Sequence, residues 1–250
     1  MGQIKVKTEA EVALIRLAAQ VAAKTLAAIS QEVKPGVTTE YLDKIAEKMI
    51  REQGAEPVFI GYRGYRHATC ISVNEQVVHG IPGAKVLREG DIVSLDVGTK
   101  MNGYCGDCAL TVPVGHITPK QTKLLRVGKE ALKAAIRQAR RGQHLGDISA
   151  AVQRTTEKNG FSVVRDLYGH GIGRDLHEEP LIPNYGQPGE GPELKAGMVL
   201  AIEPMLTLGT WKIKTLADGW TVVTEDQSWA CHFEKTVLIT ESEPEILTCY

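Results

Sequence analysis

Two aspartates lie where they could share a metal ion. Asp96 occupies a segment of alternating apolar and polar residues, and Asp107 lies beyond Asn102-Gly103. Because Asn-Gly is a strong signal for a two-residue hairpin turn, the turn would place Gly98 opposite Asp107 and Asp96 on the same face. Carboxylates that close repel each other, and a bound cation removes the conflict. Two solvated aspartates are the alternative, but their apolar neighbours favour the metal.

The second half of the chain contains further residues of metal-ligating type. His170 lies among glycines, which allow the backbone to approach a ligand closely. Glu203 and Glu234 each lie in an apolar, strand-like segment, where a buried carboxylate is costly unless it is paired or bound to a metal. His177 begins a His-Glu-Glu-Pro sequence. Taken singly, each of these residues could be structural.

The cysteines do not form a convincing site of their own. Cys105 and Cys108 have the spacing of redox and zinc sites, but the sequence offers no second cysteine pair or nearby histidine to complete a zinc set. In a strand, residues three apart also face opposite ways. An odd total of five cysteines argues against a disulfide framework and favours a reducing compartment.

Composition indicates an ordinary soluble globular protein. The 250 residues include 29 Lys+Arg and 30 Asp+Glu, so the net charge of −1 excludes a strongly basic nucleic-acid binder as a description of the whole chain. The hydrophobic fraction is 43%, and the length suffices for a substantial core. The charged start, Met1 to Lys7, precedes acidic residues and is not expected to be a signal peptide. No uninterrupted run of about 18 apolar residues occurs, so no membrane span is expected.

The elements that must position these residues repeat along the chain. Capping boxes at Thr8 and Thr118 predict helices that run to about Ser30 and about Arg141. Each is followed by a second helix, which ends near Gly54 in the first half and near Gly160 in the second. Strands are expected over residues 57–60 and 161–164, after each helix pair.

This order predicts one catalytic domain over residues 1–250, built from two related halves of about 8–112 and 118–240. Gly36 and Gly54 recur at one common offset as Gly142 and Gly160. Chance is the alternative, because two glycine matches are weak support. In a duplicated unit, the site is expected between the halves.

Read in order, the candidate residues form a series that resembles one family. Asp-x10-Asp is followed by Gly-His-Gly-Ile-Gly, His-Glu-Glu-Pro, Ile-Glu-Pro-Met and Phe-Glu, and the segment Val78 to Pro82 fits the same pattern. This series resembles the methionine aminopeptidases over nearly the whole chain, from the first helix to about Thr240. The resemblance implies an α+β, pita-bread fold, in which helices cover a central antiparallel sheet. The short spacing from His170 to Glu203 is similar to that of the type I, bacterial-style form.

The resemblance implies a five-ligand site for two divalent ions, with Co, Mn, Fe and Zn all compatible with the oxygen-rich ligand set. Asp107 and Glu234 would bridge the two ions, which would activate a shared water to attack the scissile carbonyl. Glu203 would shuttle the proton, and His79 and His177 would contact the substrate and stabilise the tetrahedral intermediate. The implied metal ligands are Asp96, Asp107, His170, Glu203 and Glu234.

The resemblance also implies an apolar pocket for the methionine side chain. Without it, the pocket residues would be read as ordinary core. Three residues depart from the family pattern, although none removes a ligand: Leu176 before His177, Tyr168 before His170, and His232, which would share a strand face with Glu234. The implied pocket residues are Phe59, Tyr62, Tyr65, Cys70 and Trp220.

The implied activity is removal of the initiator methionine from nascent polypeptides whose second residue is small, by a monomer in the cytoplasm. An Xaa-Pro aminopeptidase or prolidase is one rival, although those relatives usually carry a large N-terminal domain for which this chain has no room. A non-catalytic binding protein of the same fold is the other, although such proteins lose ligands.

The predicted helix over residues 119–141 is strongly basic. It contains one acidic residue, Glu130. A solvated face is the simpler interpretation. The alternative is a contact with ribosomal RNA. The basic stripe comprises Lys123, Arg126, Lys133, Arg137 and Arg140.

Overall fold

A computed structural model describes residues 3–249, so Met1, Gly2 and Tyr250 lie outside the described range. Met1 and Gly2 belong to the segment that is not expected to be a signal peptide. Four helices are present in the described part: α1 (Glu9–Gln31), α2 (Thr39–Glu52), α3 (Pro119–Gln138) and α4 (Leu145–Lys158). The capping box at the start of α1 is confirmed, since Glu11 N–H donates to Thr8 Oγ1 and Thr8 N–H donates to Glu11 Oε2. The second predicted box, at Thr118, is also present.

Helix α3 ends earlier than the predicted limit near Arg141. The backbone leaves the helical region at Ala139, and Gly142 adopts a left-handed conformation. Gly142 N–H donates to Leu194 O at 3.0 Å, and Leu194 N–H donates to Gln143 O at 2.7 Å. These tertiary hydrogen bonds replace helical ones, and the local sequence does not reveal them.

The strands are mostly short. The strand predicted over residues 57–60 is wrong beyond Pro57, because the next residues enter local turns that lead to a 3₁₀ turn at Tyr62–Gly64. The strands are β1 (Glu56–Pro57), β2 (Cys70–Val73), β3 (Gln76–Val78), β4 (Ile92–Met101), β5 (Tyr104–Pro113), β6 (Ser162–Val163), β7 (Tyr168–Gly171), β8 (Glu178–Pro183), β9 (Val199–Ile202), β10 (Met205–Thr207), β11 (Ile213–Thr215), β12 (Val222–Thr224), β13 (Ala230–His232), β14 (Glu234–Leu238) and β15 (Glu245–Ile246).

The main sheet has nine antiparallel strands and joins both parts of the chain. Its path runs β1-β4-β5-β14-β9-β7-β8, with β2 also paired to β4 and β15 to β14. Two three-stranded sheets, β13-β10-β6 and β11-β12-β3, lie beside it. Antiparallel sheets combined with packed helices confirm the predicted α+β class.

Helix α1 lies directly on the β4–β5 hairpin. A Cβ atom on Gly106 would come within 2.3 Å of Ala19 N, so glycine permits this close approach. Thr99 Oγ1 donates to Ala18 O at 2.8 Å across the same contact. By length and composition α1 could cross a membrane, but 56% of its most apolar window is buried within the fold, as in a core helix.

The helix pairs and their strands follow one another in the predicted order. Helices α1 and α2 precede β1 to β5, whereas α3 and α4 precede β6 to β15. The two related halves, and one catalytic domain over residues 1–250, stay a prediction.

Candidate active site

The β4–β5 hairpin brings the two aspartates together. The predicted register is confirmed: Gly98 pairs with Asp107, and Asp96 pairs with Ala109. Because side chains alternate along a strand, Asp96 and Asp107 lie on the same face. Asp107 is buried, with 4% of its surface exposed.

Neighbouring strands of the main sheet carry the other predicted ligands to the same place. Glu234 is the first residue of β14 and pairs with Ala109 of β5, while His170 of β7 pairs with Ala201 of β9. A carboxylate oxygen of Asp107, one of Glu234 and a ring nitrogen of His170 lie within 4.8 Å of one another. Glu203 follows β9, and its Oε1 lies 3.7 Å from His170 Nε2.

The carboxylates of this cluster have more buried oxygens than there are hydrogen-bond donors to pair with them. Asp96 Oδ1, Asp107 Oδ1 and Glu234 Oε1 are buried without a hydrogen-bond partner. Burial raises the pKa of Asp107 to about 8, helped by the charge of Glu203, and burial raises the pKa of Glu203 to about 7. Burial and the charge of Asp107 also raise the pKa of Asp96 and of Glu234 well above the usual range. Unpartnered, mutually repelling carboxylates fit a divalent cation.

The two histidines predicted to contact substrate flank the cluster. The ring of His177 lies 4.2 Å from that of His170 and 5.1 Å from that of Tyr62. His79 follows β3 in a left-handed conformation, with φ of 58°. Burial lowers the pKa of His177 to about 3 and that of His79 to about 4, so both rings are neutral near pH 7.

A cavity of about 350 Å³ opens beside the cluster. Its wall contains every predicted pocket residue: Phe59, Tyr62, Tyr65, Cys70 and Trp220. The rings of Tyr65 and Trp220 meet edge to face at 4.9 Å. The predicted metal ligands, His79 and His177 line the same cavity.

Sequence reasoning did not select several other lining residues as site residues. Leu167, Leu181 and Met205 carry no chemical signature that separates them from core residues, although Met205 belongs to the Ile-Glu-Pro-Met motif. The exposed Arg63 also lines the cavity, held in a left-handed conformation with φ of 48°. The noted departures Tyr168 and Leu176 are part of the wall as well.

His232 lies beside the cluster in a different way from the one expected. It ends β13 and Glu234 begins β14, so the two residues belong to different sheets rather than to one strand face. Its Nε2 lies 3.1 Å from Glu203 Oε2, but the two atoms do not form a hydrogen bond. Burial lowers the pKa of His232 to about 3.

The fold that carries this cluster is shared with a known class of protein. The sequence pattern of metallopeptidase family M24 matches residues 13–241. The chain therefore belongs to metallopeptidase family M24, and its relatives place it, more particularly, among the methionine aminopeptidases. It is 52% identical to methionine aminopeptidase 1 of Bacillus subtilis over 97% of this chain and 98% of that protein.

Solved structures agree with this assignment. The crystal structure of methionine aminopeptidase from Thermotoga maritima superposes with a TM-score of 0.98 at 46% identity, over 99% of this chain and all of that one. The prolidase from Pyrococcus furiosus gives 0.80 at 26% identity, over 98% of this chain but 65% of that one. The expected pita-bread fold is thereby confirmed. The chain is a metal-binding peptidase.

Proposed function

We propose that this protein removes the initiator methionine from nascent polypeptides whose second residue is small. The observation that carries the proposal is a largely apolar cavity beside a buried cluster of carboxylates and histidines. A methionine side chain would fill the cavity beside Phe59 and Tyr65, and the scissile carbonyl would then lie near the cluster. The relatives named above from Bacillus subtilis and Thermotoga maritima are methionine aminopeptidases, which supports the same substrate.

Two divalent ions would be held by the five ligands, with Co, Mn, Fe and Zn all compatible with the donor set. Asp107 and Glu234 would serve both ions, Asp96 one of them, and His170 with Glu203 the other. When bound, the ions supply Lewis-acid activation of water and of the scissile carbonyl. The unpartnered oxygens of Asp96, Asp107 and Glu234 support this assignment.

The chain's own residues would orient the substrate and move the proton. His79 and His177, both neutral, would donate hydrogen bonds to the peptide and to the oxygen on which negative charge develops. Glu203 would accept a proton from the attacking water at a carboxylate oxygen and return it to the departing amine. Its position against His170 keeps this carboxylate at the cluster.

Release of free methionine from Met-Ala-Ser tests the activity. The protein, reconstituted with Mn or Co, is expected to release methionine, to stop on chelation and to recover when metal returns. Release from an Xaa-Pro peptide instead would favour the prolidase-like rival. A protein that binds no metal after reconstitution would favour the non-catalytic rival.

The ribosome contact through the basic segment 119–141 is a separate proposal. Lys123, Lys133 and Arg137 would supply the charge. Other members are partly neutralised, because Arg126 lies 2.6 Å from Glu130 and Arg140 lies 2.5 Å from Glu243. Reversal of the charges of Lys123, Lys133 and Arg137 should reduce co-sedimentation with ribosomes, and unchanged co-sedimentation would refute the contact.

The protein is further proposed to act as a monomer in the cytoplasm. The five cysteines without a disulfide and the bacterial relatives support the cytoplasmic part of this proposal. Sedimentation equilibrium should give the mass of one chain, 27.2 kDa. A concentration-independent mass of twice that value would refute the monomer.

A further inference from the structure

A buried ion pair links the N-terminal segment to the start of strand β8, which follows His177. Lys7 Nζ donates to Glu178 Oε2, and each side chain has 5% of its surface exposed. The backbone of Lys7 is also held in place, since its N–H donates to Gly197 O at 2.8 Å. A buried charge is costly without a partner, so each of these side chains depends on the other.

Glu178 also closes the loop that precedes it. Its Oε1 accepts hydrogen bonds from the N–H groups of Arg174 at 3.0 Å and of Asp175 at 3.4 Å. The loop lies close against the ion pair, because a Cβ on Gly173 would lie 2.7 Å from both Glu178 Oε1 and Lys7 Nζ. One carboxylate therefore holds the loop with one oxygen and Lys7 with the other.

The charge on Glu178 persists despite its burial. Burial by itself would raise the pKa of this carboxyl, but the hydrogen bond and positive charge of Lys7 outweigh it and lower the pKa below the usual range. The more exposed Lys5 adds a weaker contact, with Nζ 3.5 Å from Oε1. The carboxylate is therefore charged at neutral pH and can hold the two backbone N–H groups strongly.

His177 is the residue that this arrangement presents to the cavity. It stands between the closed loop and Glu178, the first residue of β8. The side chain of Glu178 reaches Lys7, while the ring of His177 lies against those of His170 and Tyr62.

We propose that Lys7, acting through Glu178, is a positioning residue that sets the place of the His177 ring against the substrate. The inference rests on the proposed function, in which His177 contacts the peptide. Lys7 itself does not line the cavity. The N-terminal segment is thereby part of the active-site support, although it is far from the site in sequence.

A double-mutant cycle on the Mn-loaded full chain tests this inference, with Met-Ala-Ser as substrate. Lys7→Met should lower kcat/KM about tenfold, because a small displacement of a positioned group costs much of its effect. In a His177→Ala background, the same Lys7→Met change should add less than about twofold, since two residues that act through one contact are not additive. The matched control Lys5→Met removes an exposed charge and should stay within about twofold of the unaltered protein.

The outcomes distinguish failure of the proposed function from failure of the positioning role. If the unaltered protein releases no methionine, the proposed function fails and this inference with it. If Lys7→Met is as active as the unaltered protein, or loses activity equally in both backgrounds, only the positioning role is refuted. Should Lys7→Met not fold, Glu178→Gln takes its place: its amide oxygen can still accept from the loop N–H groups, but Lys7 loses its ion pair, and the same non-additivity with His177→Ala is expected.

Discussion

At the scale of single residues, the site is a collection of groups that are unfavourable without a cation. Asp107 and Glu203 have pKa values of about 8 and about 7 in the folded chain, against 3.8 and 4.5 as ordinary values. Such raised pKa values, clustered in a cavity, are typical of functional sites. The hairpin register predicted that Asp107 meets Asp96, whereas the presence of Glu203 in the same cluster was implied only by the resemblance to the methionine aminopeptidases.

Stability of the metal-free protein should fall as the pH rises above about 7. Since the pKa values of Glu203 and Asp107 lie above those of the unfolded chain, the folded state holds more protons between about pH 4 and pH 8. The contribution is therefore full below the unfolded pKa values and is lost as the pH rises through about 7 and about 8. Below about pH 7 the buried histidines act in the opposite sense, because burial lowers the pKa values of His79, His177 and His232 to about 4, about 3 and about 3. Thermal unfolding with chelator present should therefore show the loss, on the order of 1 kcal/mol, between pH 7 and pH 8.5. A stability that rises over this interval would contradict the pKa values.

Replacing one predicted bridging ligand should remove metal binding. In Asp107→Asn, the affinity for Mn should fall by more than about 100-fold, because even changes in groups that only support metal ligands cost 10- to 100-fold. Methionine release should be lost with it. Calorimetric titration measures the affinity, and Asp166→Asn is the control, since Asp166 is exposed. Tight Mn binding by Asp107→Asn would remove this residue from the site.

At the scale of elements, the hairpin and the helix on it decide whether the aspartates meet. The Asn102-Gly103 turn sets the β4–β5 register, and this register was readable from two residues because turn geometry determines hairpin pairing. The strand predicted over residues 57–60 failed for the opposite reason. Its apolar residues are of types that favour a strand, but in the structure they form local turns and part of the cavity wall.

Adding a methyl group at the contact between α1 and β5 should destabilise the fold. In Gly106→Ala, the added Cβ would lie 2.3 Å from Ala19 N, so the helix must move away from the hairpin. A loss of about 1–3 kcal/mol is expected from such overpacking. Denaturant unfolding measures it, and Gly83→Ala is the control, because a Cβ there meets nothing within 4 Å. Equal stability of the two variants would show that α1 shifts without cost.

At the scale of the whole molecule, the candidate ligands come from both parts of the chain. Asp96 and Asp107 lie on the β4–β5 hairpin, whereas His170, Glu203 and Glu234 belong to or border β7, β9 and β14 of the same sheet. Metal binding would therefore tie the two predicted halves together. A ligand that binds only the folded state stabilises that state by mass action.

Added metal should raise the melting temperature of the whole chain. At a free Mn concentration 100 times the Kd, binding stabilises the fold by about 2.7 kcal/mol. For a chain of this length the melting temperature should rise by about 5–10 °C. Differential scanning calorimetry with and without chelator measures the shift, and Asp107→Asn serves as the control that should not respond. An unchanged melting temperature at saturating metal would contradict the ligand assignment.

The sequence by itself determined the hairpin register, the capped starts of the long helices, the family and the residue types of the site, because each depends on local spacing or on a motif. Only the tertiary structure decided where α3 ends, which sheet holds His232, and that Lys7 pairs with Glu178, the residue next to His177. Those features depend on contacts between segments far apart in the chain. Lys7 and Glu178 show the difference most clearly: each is an ordinary charged residue in sequence, and only the folded chain buries them together.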